Sequence, residues 1–185
     1  MQVTEGTLPD EITDLASGYR RIPAGKIVNA VTWMEARAPV QGLGHPLAMT
    51  RVTNLEPAFY RSVFLYYGHD ERGSHVGMAE FTLADSNEIE ITYFGLFPSL
   101  TGRGLGKRLM AGALDQAWPL KPGRIWLHTS SIDHHSVIGF YRACGFEPFA
   151  AGFEITDDPR IKGTLPRDCA PQIPLIETEW VPRAR

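Results

Sequence analysis

The segment FGLFPSLTGRGLGKRLM, residues 94–110, places four glycines and three basic residues between two apolar runs. The run before it has the residue types of a strand, and the run after it repeats apolar residues at helical spacing. Glycines at a strand–helix junction let backbone amides approach an anion, because no Cβ stands in the way. The segment therefore predicts an anion-binding turn in a fold where a strand leads directly into a helix.

Two strands are predicted before this turn. The stretches SHVGMAEFTL and NEIEITYFGLF are joined at ADSN, whose residue types are typical of a hairpin turn. In the second stretch Glu88, Glu90 and Thr92 alternate with apolar residues, which predicts a polar face. The alternation fails around Gly95, and a glycine at such a break predicts a β-bulge.

The rest of the chain supplies further strands and helices. After the turn, GKRLMAGALDQAW predicts a helix, RIWLHTS a buried strand, DHHSVIGFYRACGF a helix capped by Asp133 and ended by Gly145, and FEPFAAGFEI one or two strands. Before the hairpin, we expect a strand at 28–37, a loop or short helices in QGLGHPLAMTRVTN, and a strand in SVFLYY. Hairpin-linked strands followed by strands joined through helices predict an α/β sandwich around a mixed sheet.

The chain is expected to form a single domain over residues 1–185. It divides into an N-terminal arm at 1–26, a core at 27–153 and a proline-rich tail at 154–185. In the arm, Thr7 followed by Asp10 has the spacing of a capping start and predicts a short helix. The prolines spaced through the tail predict an extended chain.

Composition argues against several classes of protein. No apolar run reaches the length of about 18 residues that a membrane span requires, and the N-terminus lacks the order of a signal peptide. The net charge of −3 argues against a nucleic-acid partner. The two cysteines, Cys144 and Cys169, do not make a disulfide framework, which favours a reducing cytoplasm.

Two common phosphate-binding patterns fail on the glycine turn. The P-loop pattern requires a glycine where Thr101 stands and a hydroxyl residue where Arg108 stands. The dinucleotide pattern requires its third glycine at Lys107. The turn is therefore either another class of phosphate site or a plain glycine-rich turn with a solvated basic rim.

The turn resembles the pyrophosphate loop of the GNAT superfamily of N-acetyltransferases, whose signature is Gln/Arg-x-x-Gly-x-Gly/Ala at a strand–helix junction. Gly104 and Gly106 hold its two small positions. The family also tends to carry Asn-x-x-Ala-x-x-Phe/Tyr-Tyr-x-x-x-Gly-Phe on its last core helix. HHSVIGFYRACGF keeps four residues of that pattern at the same spacing: Phe140, Tyr141, Gly145 and Phe146. The resemblance is specific over about residues 77–149 and weak outside them.

The resemblance implies a mixed, mostly antiparallel sheet flanked by helices, with acetyl coenzyme A as co-substrate and no metal. The residues implied at the pyrophosphate are Thr101, Gly102, Arg103, Gly104, Leu105, Gly106 and Lys107. Backbone amides of Phe94 and Leu96 are implied to hold the thioester oxygen and the pantetheine arm. Thr101 departs from the family's Gln or Arg, which implies that this side-chain contact is either lost or moved to Arg103. His134, which stands where the family has Asn, is implied to contact pantetheine.

Acetyl transfer to an amine needs a base, a fixed donor for the oxyanion and an acid for the leaving thiolate. Glu90 lies eleven residues before Thr101, where the histone-acetylating branch of the family carries its base. The resemblance thus implies Glu90 as base, directly or through water; a solvated strand face is the alternative. It implies Tyr141 as acid, and the alternative is a packed tyrosine.

A metal site is not expected. His128 precedes the adjacent pair His134 and His135 by six residues, which is not a zinc spacing, and no cysteine is close. Cys144 has the position of a small core residue, and a covalent cysteine mechanism is a remote alternative.

The acceptor is expected to be a small-molecule or peptide amine. Residues 40–60, where the family usually has two helices, are short and loop-like, so the acceptor side is open or covered by a partner chain. A homodimer is therefore one expectation. Two alternatives to the acetyltransferase remain: a coenzyme A-binding module without activity, and a transferase that uses a different acyl coenzyme A.

Overall fold

The computed structural model describes residues 13–14, 19–20, 23–52, 63–84 and 87–177. Within these residues the chain forms nine strands and two α-helices. The strands are β1 (Thr13–Asp14), β2 (Tyr19–Arg20), β3 (Lys26–Ala36), β4 (Ala48–Arg51), β5 (Val63–His69), β6 (His75–Ala84), β7 (Glu88–Leu96), β8 (Arg124–Ser130) and β9 (Glu147–Asp157). The helices are α1 (Leu105–Ala117) and α2 (Val137–Ala143), and short 3-10 turns lie at Pro98–Leu100 and Trp118–Leu120.

Seven strands form one mixed sheet in the order β4-β5-β6-β7-β8-β3-β9. Strands β4 to β7 pair antiparallel in succession, and β7 pairs in parallel with β8. The predicted mixed sheet and the β6–β7 hairpin are thereby confirmed. The order along the sheet departs from the order along the chain, because the early strand β3 lies between the late strands β8 and β9.

A β-bulge interrupts the pairing of β6 with β7. Phe81 pairs with Ile91 and Glu80 with Tyr93, so Thr92 is the extra residue in this register. A bulge bends its strand and increases the local twist. It therefore redirects β7 just before the strand reaches the glycine turn.

The prediction of a bulge at Gly95 is wrong. Gly95 pairs with Met78 in regular register. The bulge of β7 lies at Thr92 instead, where the polar alternation ends. A Cβ on Gly95 would meet no heavy atom within 4 Å, whereas one on its neighbour Gly77 would overlap the carbonyl oxygen of Gly95.

The core lies between one face of the sheet and the helices. Helix α1 buries residues at helical spacing, including Leu109, Met110, Ala113, Leu114 and Ala117. The strands contribute Phe81, Ile89, Ile91, Ile125 and Leu127 to the same cluster, Tyr141 joins it from α2, and Cys144 joins it directly after that helix. Each fully buried Leu, Ile, Phe or Met side chain stabilises the fold by roughly 1.5–3 kcal/mol.

Helix α2 ends as predicted and begins later than predicted. Gly145 follows the helix with φ +83°, and a Cβ there would overlap Val40, so backbone and packing both require glycine. The helix begins at Val137 rather than near Asp133. The Asp133 carboxylate instead accepts a hydrogen bond of 2.8 Å from the Ser130 amide and closes a turn before the helix.

The chain divides into two compact units. The core unit comprises Thr32–Thr129 and His135–Ala151, and the terminal unit comprises Met1–Val31, Ser130–His134 and Gly152–Arg185. In the terminal unit, turns and bends dominate residues 159–173, so the prediction of an extended tail is wrong for this part. The buried Arg160 guanidinium donates hydrogen bonds to tail carbonyl oxygens, which are those of Cys169, Ala170, Ile173 and Pro174.

Two further expectations are corrected. Strand β4 lies in a segment that was expected to form a loop or short helices. Strands β1 and β2 pair with each other, so a helix through residues 13–20 is wrong, while Thr7 and Asp10 lie outside the described residues. The strand predicted in SVFLYY is confirmed as β5.

Candidate active site

The parallel ladder between β7 and β8 is short. It pairs residues 88–90 of β7 with residues 124–126 of β8 and ends at Glu90. Strand β7 continues to Leu96, beyond the bulge at Thr92. We call the region between residues 91–96 of β7 and residues 127–129 of β8 the splay. Backbone groups of β7 that face the splay lie outside this ladder, and such groups can hydrogen-bond a ligand.

Glu90 and His128 meet at the start of the splay. Nδ1 of His128 lies 3.2 Å from Oε1 of Glu90. The His128 side chain is 49% exposed and the Glu90 side chain 21%. Both project from the polar face of the sheet, because they alternate with the buried Ile89 and Leu127. The pair joins a carboxylate to an imidazole, which is an arrangement that can move a proton.

The other carboxylates near β8 are held by Arg124. Its guanidinium donates hydrogen bonds of 3.0 Å to Glu35 and 3.0 Å to Glu88. Burial alone would raise the pKa of Glu35, but hydrogen bonds from Arg124 and Arg37 keep it below its usual value. Hydrogen bonds to Glu88 and then Glu35 raise the pKa of Arg124. Glu35 and Glu88 are therefore ion-paired structural groups, whereas Glu90 faces the imidazole.

The glycine turn has the geometry of an anion site. Gly102 and Gly104 have φ +73° and +74°, and a Cβ on either would meet no heavy atom within 4 Å. Gly104 is the N-cap of α1, no side chain caps the helix, and its first turn carries no acidic residue. The amides at this helix start and the helix dipole therefore favour an anion. The individual cofactor contacts of residues 101–107 stay predictions.

The basic residues of the turn differ in their surroundings. Arg108 donates a hydrogen bond of 3.0 Å to the His45 carbonyl oxygen and lies 3.9 Å from Glu71. Arg103 and Lys107 are exposed, and neither forms an ion pair with a described residue. Arg108 thus fixes the loop at His45, and the charge presented to an anion comes chiefly from the other two.

Two residues of the turn also have structural roles. The Thr101 hydroxyl donates a hydrogen bond of 2.9 Å to the Pro98 carbonyl, so it stabilises its own turn. A Cβ on Gly106 would lie 3.0 Å from Cε2 of Phe140. Phe140 in turn stacks on Phe94 with ring centroids 5.8 Å apart. The two sequence motifs therefore touch, since Gly106 belongs to one and Phe140 to the other.

Tyr141 lies in the core. It is 8% exposed, and its ring centroid is 5.4 Å from that of Phe140 and 6.1 Å from that of Phe146. Glu90 projects from the polar face of β7, so the two predicted catalytic residues belong to opposite faces of the sheet. Burial raises the pKa of Cys144 to about 11, which leaves its thiol protonated and a poor nucleophile at neutral pH.

The remaining predicted positions are brought together only in part. Phe94 and Leu96 lie on β7 beyond the ladder, beside the splay. His134 is exposed in the turn before α2, and its contact with pantetheine stays a prediction. Sequence reasoning did not predict the contact between His128 and Glu90. The alternation along β8 was enough to place His128 on the same face as Arg124. That Glu90 is the neighbour of His128 follows only from the parallel register of β7 and β8.

A sequence-family comparison agrees with this geometry. The model of the acetyltransferase (GNAT) family matches residues 31–146, more than half of the chain. The chain belongs to the GNAT acetyltransferase family. The match runs from β3 through α2 and the glycine that ends it, and it includes the hairpin, the glycine turn and the splay.

Solved structures share this GNAT fold at low identity. A conserved protein of unknown function from Staphylococcus epidermidis has a TM-score of 0.54 at 9% identity, covering 72% of this chain and 64% of that one. A protein from Novosphingobium aromaticivorans assigned to the GNAT family has 0.53 at 20% identity, covering 73% and 67%. A GCN5-related N-acetyltransferase from Sphaerobacter thermophilus has 0.51 at 13% identity, covering 70% and 51%.

At these identities the structural likeness shows the fold alone. The chain spans less than two thirds of the first and third of these relatives, with 64% and 51% of their lengths. No curated protein sequence matches the chain. In the described residues of this GNAT protein, no group of three or more His, Cys, Asp or Glu side chains is arranged to hold a metal ion. None of the described helices has the length and apolar character needed to cross a membrane.

Proposed function

We propose that the protein is a cytoplasmic N-acetyltransferase that moves an acetyl group from acetyl coenzyme A to a primary amine. The observation that carries the proposal is the end of the β7–β8 ladder at Glu90, where the Glu90–His128 pair stands at the splay. A proton-accepting pair thus lies beside backbone groups that are outside the ladder, and its Glu90 belongs to the strand that leads into the glycine turn. The two cysteines, one of them fully buried, suit a reducing compartment.

The residues present fit coenzyme A. Its pyrophosphate suits the amides of residues 102–106, because Gly102 and Gly104 present open backbone at an uncapped helix start. Exposed Arg103 and Lys107 add positive charge there. Pantetheine fits along β7, where the amides of Phe94 and Leu96 can donate to its carbonyl groups. When bound, acetyl coenzyme A supplies an activated thioester.

The amine must lose a proton before it attacks. A free alkylamine has a pKa of about 10.4, so its deprotonation at pH 7 costs about 4.6 kcal/mol. In the proposal the Glu90–His128 pair accepts this proton on the polar face of the sheet. A positioned base contributes about 10²- to 10⁴-fold to the rate.

The departing thiolate must gain a proton. Tyr141 lies in the core next to Phe140, which contacts the glycine turn. In the proposal its phenol donates that proton from the helix side of the sheet. In the proposal the amine enters from the polar face of the sheet and the thioester lies on the helix side. The two reactants therefore meet at the splay.

The acceptor is proposed to be a small-molecule or peptide amine. A coenzyme A-binding module without activity and a transferase with a different acyl donor are the competing functions. The Glu90–His128 pair favours chemistry over mere binding, because a ligand-binding module has no need of a proton acceptor at the splay.

The test is an amine panel incubated with acetyl coenzyme A, read by thiol release and by mass spectrometry of the acetylated product. Glu90→Gln should slow turnover about 10²-fold near neutral pH, and the loss should shrink as pH rises because free amine becomes abundant. Glu147→Gln, at an exposed glutamate of β9, is the matched control and should turn over normally.

The competing functions give different results. Calorimetric binding of acetyl coenzyme A without product from any amine would support the binding module. Product formed only with longer acyl donors would support the other transferase. Wild-type rates in Glu90→Gln would remove Glu90 from the site.

A further inference from the structure

We propose that His128 takes the acceptor's proton on Nε2 and that Glu90 is its positioning residue. The inference rests on the proposed function and refines it, because it moves the base from the carboxylate to the imidazole beside it. The carboxylate remains necessary, since it sets which imidazole nitrogen is free to act.

The direction of the hydrogen bond supports this assignment. Nδ1 of His128 lies 3.2 Å from Oε1 of Glu90. An ionised carboxylate can only accept hydrogen bonds, so Nδ1 must carry the hydrogen. A neutral imidazole has one protonated nitrogen, and Nε2 then keeps its lone pair. Glu90 therefore holds the tautomer in which Nε2 can accept a proton.

Exposure points the same way. The side chain of His128 is 49% exposed and that of Glu90 is 21% exposed. An acceptor amine that approaches the polar face meets the imidazole more readily than the carboxylate. Nε2 of His128 can also release its proton directly to water. The Glu90 carboxylate is more enclosed than the imidazole and has less access to water.

The surrounding charges leave Glu90 as the partner of His128. On the same face, β7 carries Glu88, β8 carries Arg124 and β3 carries Glu35. Arg124 donates a hydrogen bond to each of the two glutamates. On β6, Glu80 lies across from Tyr93 of β7, and burial raises the pKa of Glu80. The described residues therefore offer no second cation that would compete with His128 for Glu90.

The intrinsic proton affinities also favour an imidazole. An ordinary imidazole has a pKa of about 6.5 and an ordinary glutamate about 4.3. A base works best when its pKa lies near the operating pH. Removing a proton from an alkylammonium at pH 7 is therefore better matched to an imidazole than to a carboxylate.

The proton and electron balance closes without another reactant. The ammonium gives a proton to Nε2 of His128, and its lone pair then forms the N–C bond as the C–S bond breaks. The thiolate takes the proton of Tyr141 Oη, and the amide nitrogen gives up its remaining extra proton to water. His128 releases its proton to water and Tyr141 regains one, which restores the starting state.

The first test needs no acceptor. Long-range ¹H–¹⁵N NMR of the protein at neutral pH should show His128 with hydrogen on Nδ1 and none on Nε2. The His128 signal is identified by its absence from the spectrum of His128→Gln. In Glu90→Leu, which removes the hydrogen-bond acceptor, the tautomer should move toward hydrogen on Nε2. Hydrogen on Nε2 in the wild-type protein would overturn the proposal.

The second test is the pH profile of kcat/KM with an amine identified by the panel. The wild-type profile should show a rising limb, as expected for a base that must lose its own proton before it accepts one. His128→Gln should lose about 10²-fold near neutral pH together with this limb. Glu90→Gln should be slower but should keep a rising limb, because His128 is still present to accept the proton. His135→Gln, at an exposed histidine outside the site, is the control and should keep the wild-type profile.

The outcomes separate the two proposals. A rising limb that survives in His128→Gln and is lost in Glu90→Gln would make Glu90 the base and overturn the inference. No product from any amine would overturn the proposed function and with it the role of His128 as base, while the NMR result would still report whether the pair is oriented as described.

Discussion

Asp158 and Arg160 form a buried ion pair in the terminal unit. Nη2 of Arg160 lies 2.7 Å from Oδ2 of Asp158, and its Nε lies 3.0 Å from Oδ1. Asp158 is 0% exposed and Arg160 3%. Because the remaining Arg160 donors reach backbone carbonyls of the tail, the pair anchors the turns within residues 159–173.

Asp158→Asn should therefore destabilise the protein by about 3 kcal/mol, since removing one partner leaves the buried guanidinium uncompensated. The hydrogen bond from Arg160 lowers the pKa of Asp158. Its contribution should then be complete above about pH 3.9, the ordinary value for Asp, and be lost as pH falls below it. Denaturant unfolding measures both effects. Asp157→Asn, which removes exposed ion pairs with Lys26 and Lys162, is the control and should change little.

Gly104→Ala should weaken acetyl coenzyme A binding about tenfold, or roughly 1.4 kcal/mol. The new Cβ would meet no protein atom, so it would point into the space that the proposal gives to the pyrophosphate. The positive φ adds a strain of about 1–2 kcal/mol. Gly163→Ala carries the same strain at φ +77° in open space and is the control for calorimetry. Equal affinity in the two variants would remove the turn from the cofactor site.

Tyr141→Phe should lower kcat about 10²-fold while the affinity for the cofactor stays close to normal, because a general acid acts in the chemical step. The ring contacts with Phe140 and Phe146 remain in the variant. Tyr66→Phe is a matched control, since Tyr66 is also 8% exposed and packs on Phe81. Normal turnover in Tyr141→Phe would show that Tyr141 only packs.

Cys144 should resist alkylation in the folded protein. It is 0% exposed, and burial raises its pKa to about 11, so little thiolate exists at pH 8. Cys169 is partly exposed and should react first. Mass spectrometry after iodoacetamide treatment, with and without denaturant, measures the order. Early modification of Cys144 would reopen the covalent cysteine mechanism.

Local patterns predicted much of the core. The β6–β7 hairpin, helix α1, strand β8 and the left-handed Gly145 follow from alternation, helical spacing and the φ that glycine tolerates, all of which act within a few residues. The glycine turn follows for the same reason. The prediction failed in placing the bulge, which lies at Thr92 and not at Gly95, because the register between β6 and β7 cannot be read from one strand alone.

The sequence alone determined the family, the strand–turn–helix unit and the candidates Glu90 and Tyr141, because these depend on residue spacing along the chain. Only the tertiary structure decided that β3 lies between β8 and β9, that Arg160 holds the tail, and that His128 stands beside Glu90. Each of these depends on hydrogen bonds between residues far apart in the chain. Which strands pair, and in which register, is set by the packing of the whole sheet and not by periodicity within any one strand.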